Sequence, residues 1–204
     1  MATKWIISPD KFLDPDEVHR LRKTLQDAAI LARTRGTQAA VRDKLIIELA
    51  LGSGLRVSEL ANLKVEELFL KKGQNSLHVR NGKGGKDRVV QFGANLKEQI
   101  LQYLEYRKSD SPYLFPSQRR ENMTPSAIQQ VFKRRAARAE IPRRFSIHSL
   151  RHTYAVRLYK ASGFNLRLVQ KQLGHSSVST TQVYADVMDN DVTDAVTNLD
   201  GMED

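Results

Sequence analysis

The sequence has 204 residues, of which 40% are apolar, so it is long enough and apolar enough for one domain with a packed core. The absence of cysteine excludes disulfides, thiolate metal sites and cysteine nucleophiles. No apolar run approaches the roughly 20 residues of a membrane span, and residues 1–12 lack the pattern of a secretion signal. These features favour a cytoplasmic protein.

The net charge of +10 is unevenly distributed. The last twenty residues, after Tyr184, hold seven acidic side chains and no lysine or arginine. Residues 1–184 therefore carry 33 basic and 16 acidic side chains. A strongly basic body favours a polyanionic partner, most often nucleic acid. Composition alone leaves open the simpler alternative of a soluble protein with a high isoelectric point.

Helical periodicity and capping residues predict that most of the chain is helix. Asp14, Pro15 and Glu17 form a predicted helix start with a capping box, and Gly36 ends that helix. A second helix, apolar nearly all round, is predicted from Thr37 to Leu51 and should lie at the centre of the core. Further helices are predicted over residues 55–63 and 95–107, from Thr124-Pro125, over 146–163 and 165–174, and around Tyr184.

Two short segments, SLHVRN and DRVVQF, are predicted strands on either side of the turn GKGGK. The order of elements predicts one α+β domain that is mostly helical with a small antiparallel sheet.

The stretch SIHSLRHTY places His148, Arg151 and His152 on one predicted helix. Histidines at this spacing can bind zinc, but the glutamate that a zinc protease needs is absent and a permanent cation lies beside His152. We therefore predict no metal. The simpler alternative is that both histidines are structural. Arg151 is either a snorkelling side chain or one placed to grip an anion through two parallel hydrogen bonds.

A second arginine of this kind is Arg56, which follows a glycine break in GSGLRVSEL. Glu59, three residues later, could hold a neighbouring arginine or the helix end. The simpler alternative for Arg56 is a surface arginine beside a helix cap. His175 follows a helix-stopping glycine, and Tyr184 lies nine residues later, where an ordinary tyrosine would be a core aromatic.

The ordered motifs GSGLRVSEL, GKGGK, HSLRHTYA, LGHSS and TTQVYADV resemble those of the tyrosine recombinases, or phage integrase family, over about residues 12–187. The resemblance implies that fold, and DNA cleavage through a 3′-phosphotyrosyl intermediate without metal, ATP or other cofactor. It also implies six catalytic positions: Arg56, Lys83, His148, Arg151, His175 and Tyr184. Supporting positions are Glu59, Lys86 and His152. We expect His152, which is next to Arg151, to point elsewhere than the phosphate and to be a structural histidine.

The segment KRRAARAEIPRRF is the predicted DNA-binding surface, through phosphate contacts. Its members, with the helical ones expected to point outward, are Lys133, Arg134, Arg135, Arg138, Arg143 and Arg144. The simpler alternative is a solvated charged face. The expected partners are double-stranded DNA and further copies of the chain, as a tetramer on paired sites and a monomer in solution.

Family members usually carry an N-terminal helical domain, which we expect to be absent here because the sequence begins shortly before the catalytic domain. Residues 1–184 are the predicted catalytic domain. Residues 185–204 form an acidic tail with apolar residues at roughly helical spacing, which could dock on its own domain or on a neighbouring protomer. The resemblance favours the neighbouring protomer. A frayed end is the alternative for the tail. Two rival functions for the chain are a type IB topoisomerase and a DNA-binding accessory module.

Overall fold

The computed structural model describes residues 9–80, 87–117 and 120–174. Within these ranges the chain forms seven α-helices, one three-stranded sheet and two short 3-10 turns. The helices are α1 (Pro15–Thr34), α2 (Ala39–Ser53), α3 (Val57–Asn62), α4 (Ala94–Tyr106), α5 (Pro125–Arg138), α6 (Ile147–Ala161) and α7 (Leu166–Leu173). The strands are β1 (Leu68–Phe69), β2 (Ser76–Val79) and β3 (Arg88–Gln91).

The predicted N-terminal capping residues of α1, α5 and α7 make side-chain caps in the structure. Asp14 accepts a hydrogen bond from the Glu17 N–H at 2.7 Å, and the Glu17 carboxylate accepts one from the Asp14 N–H at 2.9 Å. Thr124 caps α5 and Asn165 caps α7 through the side-chain oxygen alone, which accepts the N–H of Ala127 and of Leu168 respectively. The predicted boundaries are correct to within about two residues, which is the usual uncertainty of helix ends.

The sheet is antiparallel with the order β1-β2-β3, and Leu77 lies opposite Val90 at the middle of the β2–β3 pair. The mostly helical fold with a small antiparallel sheet is therefore confirmed. β1 was not predicted, because two residues are too few for an alternating pattern to be visible.

Helix α2 forms the centre of the core, which explains why it is apolar nearly all round. Ile46, Ile47, Leu49 and Ala50 have no exposed surface. Each fully buried Leu or Ile contributes roughly 1.5–3 kcal/mol relative to an exposed position. Helices α1, α4 and α6 pack around α2, so α2 fixes the relative positions of the N-terminal and C-terminal parts of the described chain.

A smaller apolar cluster joins α6 to α7 and contains Tyr154, Val169 and Leu173. It holds the end of α7 against the turn that follows α2. Within the described ranges, every helix is too short or too polar to cross a membrane.

Candidate active site

The turn between α2 and α3 brings Arg56 to the site. Gly54 ends α2 in the left-handed conformation, with φ of 63°, and its N–H donates to the Ala50 carbonyl at 3.2 Å. A Cβ at this glycine would collide with the Tyr154 ring and with Leu173, so the close packing requires glycine. The tight turn places Arg56 at the N-cap of α3.

Glu59 holds Arg56 in two ways. One carboxylate oxygen accepts the Arg56 backbone N–H at 2.8 Å, and the other accepts the Arg56 Nη1 at 2.8 Å. The expectation that Glu59 holds either a helix end or an arginine is met on both counts. Arg56 Nη2 also makes a long hydrogen bond, 3.4 Å, to the carbonyl of Gly174 at the end of α7.

Arg151 reaches the same place from α6. Its side chain is only 2% exposed. Nη1 donates to the Gly54 carbonyl, and Nη2 donates to the Leu173 carbonyl at 2.9 Å. Both carbonyls lie at helix C-termini, where the partial negative charge of the helix favours a cation. Arg56 and Arg151 thus converge on the ends of α2 and α7.

His148 and His152 lie on the first turns of α6, with ring centroids 4.6 Å apart in an edge-to-face arrangement. Partial desolvation, then the charges of Arg151 and Arg56, lower the pKa of His148. Burial, followed by the charges around it, lowers the pKa of His152 to about 4. The two histidines share one face of α6, as the spacing of four residues on a helix allows.

Arg88, the first residue of β3, was missed by the sequence analysis. Two of its guanidinium nitrogens donate to the two oxygens of Glu59, each at 2.8 Å. A usable signal was present: the alternation of a strand puts Arg88 on the same face as Val90, which is fully buried. An arginine on an inward face requires a carboxylate partner, and Glu59 was the nearest acidic residue of the predicted site.

Four predicted site residues lie outside the described residues: Lys83, Lys86, His175 and Tyr184. The same holds for the acidic tail, residues 185–204. Gly174, whose carbonyl accepts the hydrogen bond from Arg56, immediately precedes His175 in the sequence. In the described ranges, no three His, Asp or Glu side chains are grouped so that they could hold a metal ion.

The predicted DNA-binding surface needs one correction. Arg135 is 5% exposed and donates through Nε and Nη2 to Asp43 at 3.0 and 2.8 Å, so the outward orientation predicted for it is wrong. Arg135 lies seven residues, or about two helical turns, after Ile128, so both side chains are on the buried face of α5. The other basic side chains of the segment are exposed: Lys133, Arg134, Arg138, Arg143 and Arg144.

A model of the family described as "Phage integrase family" matches residues 11–191. The chain belongs to the phage integrase family. Tyrosine recombinase XerA of Pyrococcus furiosus is 41% identical to it over 166 residues, which cover 80% of the chain and 56% of that relative. The chain thus spans about half the length of this relative.

Solved structures agree with the family assignment. The crystal structure of XerA recombinase matches with a TM-score of 0.75 and 30% identity, covering 92% of this chain and 62% of that one. The XerH site-specific recombinase bound to its difH substrate, in a pre-cleavage complex, matches with a TM-score of 0.72 and 25% identity, covering 86% and 50%. The resemblance inferred from five motifs is therefore confirmed as membership of the phage integrase family, and its catalytic-domain fold is confirmed with it.

Proposed function

We propose that this chain is the DNA-breaking and rejoining part of a site-specific recombinase. The observation that carries the proposal is the convergence of Arg56 and Arg151, which come from distant parts of the sequence, on the ends of α2 and α7. A pair of fixed guanidinium groups suits a phosphate, which each can grip through parallel hydrogen bonds. Family membership supplies the reaction that such a site performs.

In the proposed reaction, the Tyr184 hydroxyl attacks a DNA phosphorus atom and loses its proton, while the bond from phosphorus to the 5′ oxygen breaks. Lys83 protonates the leaving oxygen, giving a free 5′ hydroxyl and a 3′-phosphotyrosyl bond. The phosphoester energy is kept in that bond, so attack by a 5′ hydroxyl rejoins the strand without ATP. Lys86 is the less favoured candidate for the role of Lys83.

The transition state carries additional negative charge on the non-bridging oxygens. Arg56 and Arg151 stabilise this charge, and His175 donates a further hydrogen bond. His148 acts as acid or base on the tyrosine side or positions the phosphate, and its lowered pKa favours the neutral imidazole at neutral pH, the form that can accept a proton. His152 supports it by ring contact. These fixed cations take the place of metal ions in the proposed mechanism.

The substrate would be double-stranded DNA with two sites held by four copies of the chain, which is a monomer before it binds. Residues 1–184 would form the catalytic unit in the cytoplasm of a prokaryote, on nucleoid DNA. The exposed basic residues of α5 and of residues 143–144 would contact phosphates. The structure of XerH bound to its difH substrate supports DNA as the partner class.

Tyr184→Phe tests the reaction. The variant and the wild type are incubated with a nicked suicide substrate and resolved on a denaturing gel, with Tyr113→Phe as a matched control away from the site. We expect the wild type and the control to form a slow covalent protein–DNA band and Tyr184→Phe to bind DNA without forming it. A covalent band in the Tyr184→Phe lane would rule out this nucleophile. Supercoil relaxation without two-site recombination by the wild type would instead favour a topoisomerase.

The acidic tail would dock on the next protomer of the ring. Its charge opposes contact with DNA, and its apolar residues at roughly helical spacing suit a protein surface. Deletion of residues 187–204 should leave binding to one-site DNA intact and reduce cooperative assembly on two-site DNA, both measured by gel-shift titration. Equal effects on the two substrates would contradict docking between protomers.

A further inference from the structure

Arg88 is a buried arginine at the edge of the candidate site. Its side chain is 10% exposed, and its two Nη atoms are bonded to the two oxygens of Glu59. A guanidinium and a carboxylate joined by two parallel bonds form the strongest and most directional pairing available to these groups. Because both Nη atoms donate to Glu59, Arg88 is arranged to act through that carboxylate.

Glu59 is therefore shared between two arginines. Its oxygens receive both Nη atoms of Arg88, and they also receive the backbone N–H and the Nη1 of Arg56. Burial alone would raise the pKa of Glu59, but the hydrogen bonds and charge of Arg88, and then those of Arg56, hold the pKa at about 2. Glu59 is thus negatively charged at any pH at which the protein would act.

The formal charges of this group decide what Arg56 can offer to an anion. With Glu59 and Arg56 alone, the positive charge of Arg56 would be cancelled by the carboxylate that orients it. Arg88 adds a second positive charge to the same carboxylate, so the three side chains together carry one net positive charge. A negative ligand beside Arg56 would then meet a net cation rather than a neutral pair.

Arg88 also contacts the end of α7. Its Nε makes a long hydrogen bond, 3.4 Å, to the Gln172 carbonyl. Gly174 has a left-handed φ of 66°, and a Cβ there would lie 2.6 Å from Arg88 Cδ. The Gln172 side chain in turn donates to the Gln91 carbonyl on β3. Strand β3 and the end of α7 are therefore joined at both ends of the strand, and Arg88 lies between α3 and α7.

We propose that Arg88 is a positioning residue that neutralises Glu59 and so leaves Arg56 its positive charge for the substrate phosphate. This proposal rests on the DNA-cleaving function proposed above. Neither the sequence motifs nor the six implied catalytic positions include Arg88.

Two readouts separate this proposal from the proposed function. The first is the affinity for inorganic phosphate, followed through the Arg56 side-chain NMR signal, which Arg56→Lys removes. The second is the rate of covalent complex formation with the nicked suicide substrate at saturating DNA. Arg88→Met should lower the phosphate affinity about tenfold and slow cleavage by at least as much. Arg88→Lys, which keeps a positive charge beside Glu59, should stay within about threefold of the wild type in phosphate affinity.

Arg22→Met is the matched control. It also removes a guanidinium from a carboxylate that is 8% exposed, Glu48, but on the α1–α2 contact. It should change folding stability without changing the phosphate affinity per folded molecule. Equal phosphate affinities for Arg88→Met and Arg22→Met would overturn the proposal, and so would slowed cleavage with unchanged phosphate affinity. Weakened phosphate binding in Arg88→Met, with no covalent complex even for the wild type, would support the role of Arg88 and overturn the proposed cleavage.

The double variant Arg88→Met/Glu59→Gln decides whether Arg88 acts through Glu59, and it remains informative where Arg88→Met alone fails to fold. It removes one positive and one negative charge, so Arg56 again supplies one net positive charge. Phosphate affinity within about threefold of the wild type would support the proposal. A tenfold loss would overturn it, because the Arg88 guanidinium itself would then be holding the anion.

Discussion

Asp43 and Glu59 each form ion pairs with more than one arginine, and the two clusters differ in their surroundings. Asp43 on α2 is fully buried and is paired with three arginines, namely Arg42 at 3.2 Å, Arg134 at 2.8 Å and Arg135 at 2.8 Å. Glu59 is paired with Arg56 and Arg88, each at 2.8 Å. The Asp43 cluster joins α2 to α5, whereas the Glu59 cluster lies against the end of α7, where Arg151 also binds.

Both clusters have more arginines than carboxylates, so an excess of positive charge does not by itself distinguish a site from a structural clamp. The neighbouring groups make the difference. Beside Glu59 lie Arg151, a buried arginine from another helix, and His148, whose pKa is lowered by partial desolvation and then by the charges of Arg151 and Arg56. The bonds around Asp43 fix the packing of two helices. The comparison predicts that damage to the Asp43 cluster affects stability and that damage to the Glu59 side affects chemistry.

The largest expected effect is on stability, from Asp43→Asn. Removing the charge leaves Arg135 buried without its counterion, which costs roughly 3–5 kcal/mol in the free energy of unfolding. Urea denaturation measures this, with the exposed Asp27→Asn as a control that should stay within about 0.5 kcal/mol of the wild type. Cleavage per folded molecule should be unchanged. An Asp43→Asn variant that is as stable as the wild type but cleaves slowly would contradict the assignment of the Asp43 cluster to stability and of the Glu59 cluster to chemistry.

The next effect concerns Arg151→Lys. A single ammonium cannot make two parallel bonds, so the rate of suicide-substrate cleavage should fall by about 10²–10³-fold, equivalent to about 2.7–4 kcal/mol of barrier. Arg157→Lys is the matched control, because it makes the same change at an exposed position of the same helix. Near-wild-type cleavage by Arg151→Lys, in single-turnover kinetics, would count against a phosphate-gripping role.

A pH-dependent effect is expected from Glu59→Gln. The folded-state pKa of Glu59, about 2, lies below its ordinary value of 4.5, so the folded state favours the ionised form. Its contribution of about 3 kcal/mol is therefore complete above pH 4.5 and is lost as the pH falls towards 2. The gap in unfolding free energy between wild type and Glu59→Gln should narrow from pH 5 to pH 3. A constant gap for Glu59→Gln would contradict the tight pairing.

The smallest effect is expected at exposed arginines that belong to neither cluster. The pair Arg138→Gln/Arg143→Gln should weaken DNA binding uniformly across sequences and reduce the salt slope, the change of log affinity with log salt concentration, by about 1–2. The pair Arg20→Gln/Lys23→Gln on α1 makes the same change in net charge at exposed positions. Identical salt slopes for the two pairs, in fluorescence-anisotropy titrations, would mean that only net charge matters and that no surface of α5 is specific for DNA.

Local rules were enough to predict most elements of the fold. The capping box at Asp14, the cap at Asn165 and the left-handed Gly174 each depend on residues within one helical turn, and all three are present in the structure. The hairpin strands were predicted for the same reason. Motif order then supplied the family, because five short motifs in sequence are far more specific than any one of them.

The ion pairs could be predicted only in part. Glu59 was expected to hold an arginine, and its partner three residues away was correct. Arg88 pairs with Glu59, 29 residues away, and Arg135 pairs with Asp43, 92 residues away. Periodicity does not identify such a distant partner. The period of the strand places Arg88 on the face of Val90, and the period of the helix places Arg135 on the face of Ile128, although Arg135 was predicted to point outward. A buried arginine implies a counterion.

The contacts that complete the candidate site also determine when it can form during synthesis. Arg56 and Gly174 are 118 residues apart, and Arg151 and Gly54 are 97 apart, whereas Arg88 and Glu59 are only 29 apart. A ribosome adds about 5–20 residues per second, so roughly ten seconds pass between the appearance of Arg56 and that of its partner carbonyl. The ion pair between Glu59 and Arg88 can form early, whereas the hydrogen bonds of Arg56 and Arg151 to the end of α7 can form only after α7 has been synthesised. The basic segment of α5 is therefore synthesised before the contact between Arg56 and the end of α7 can form.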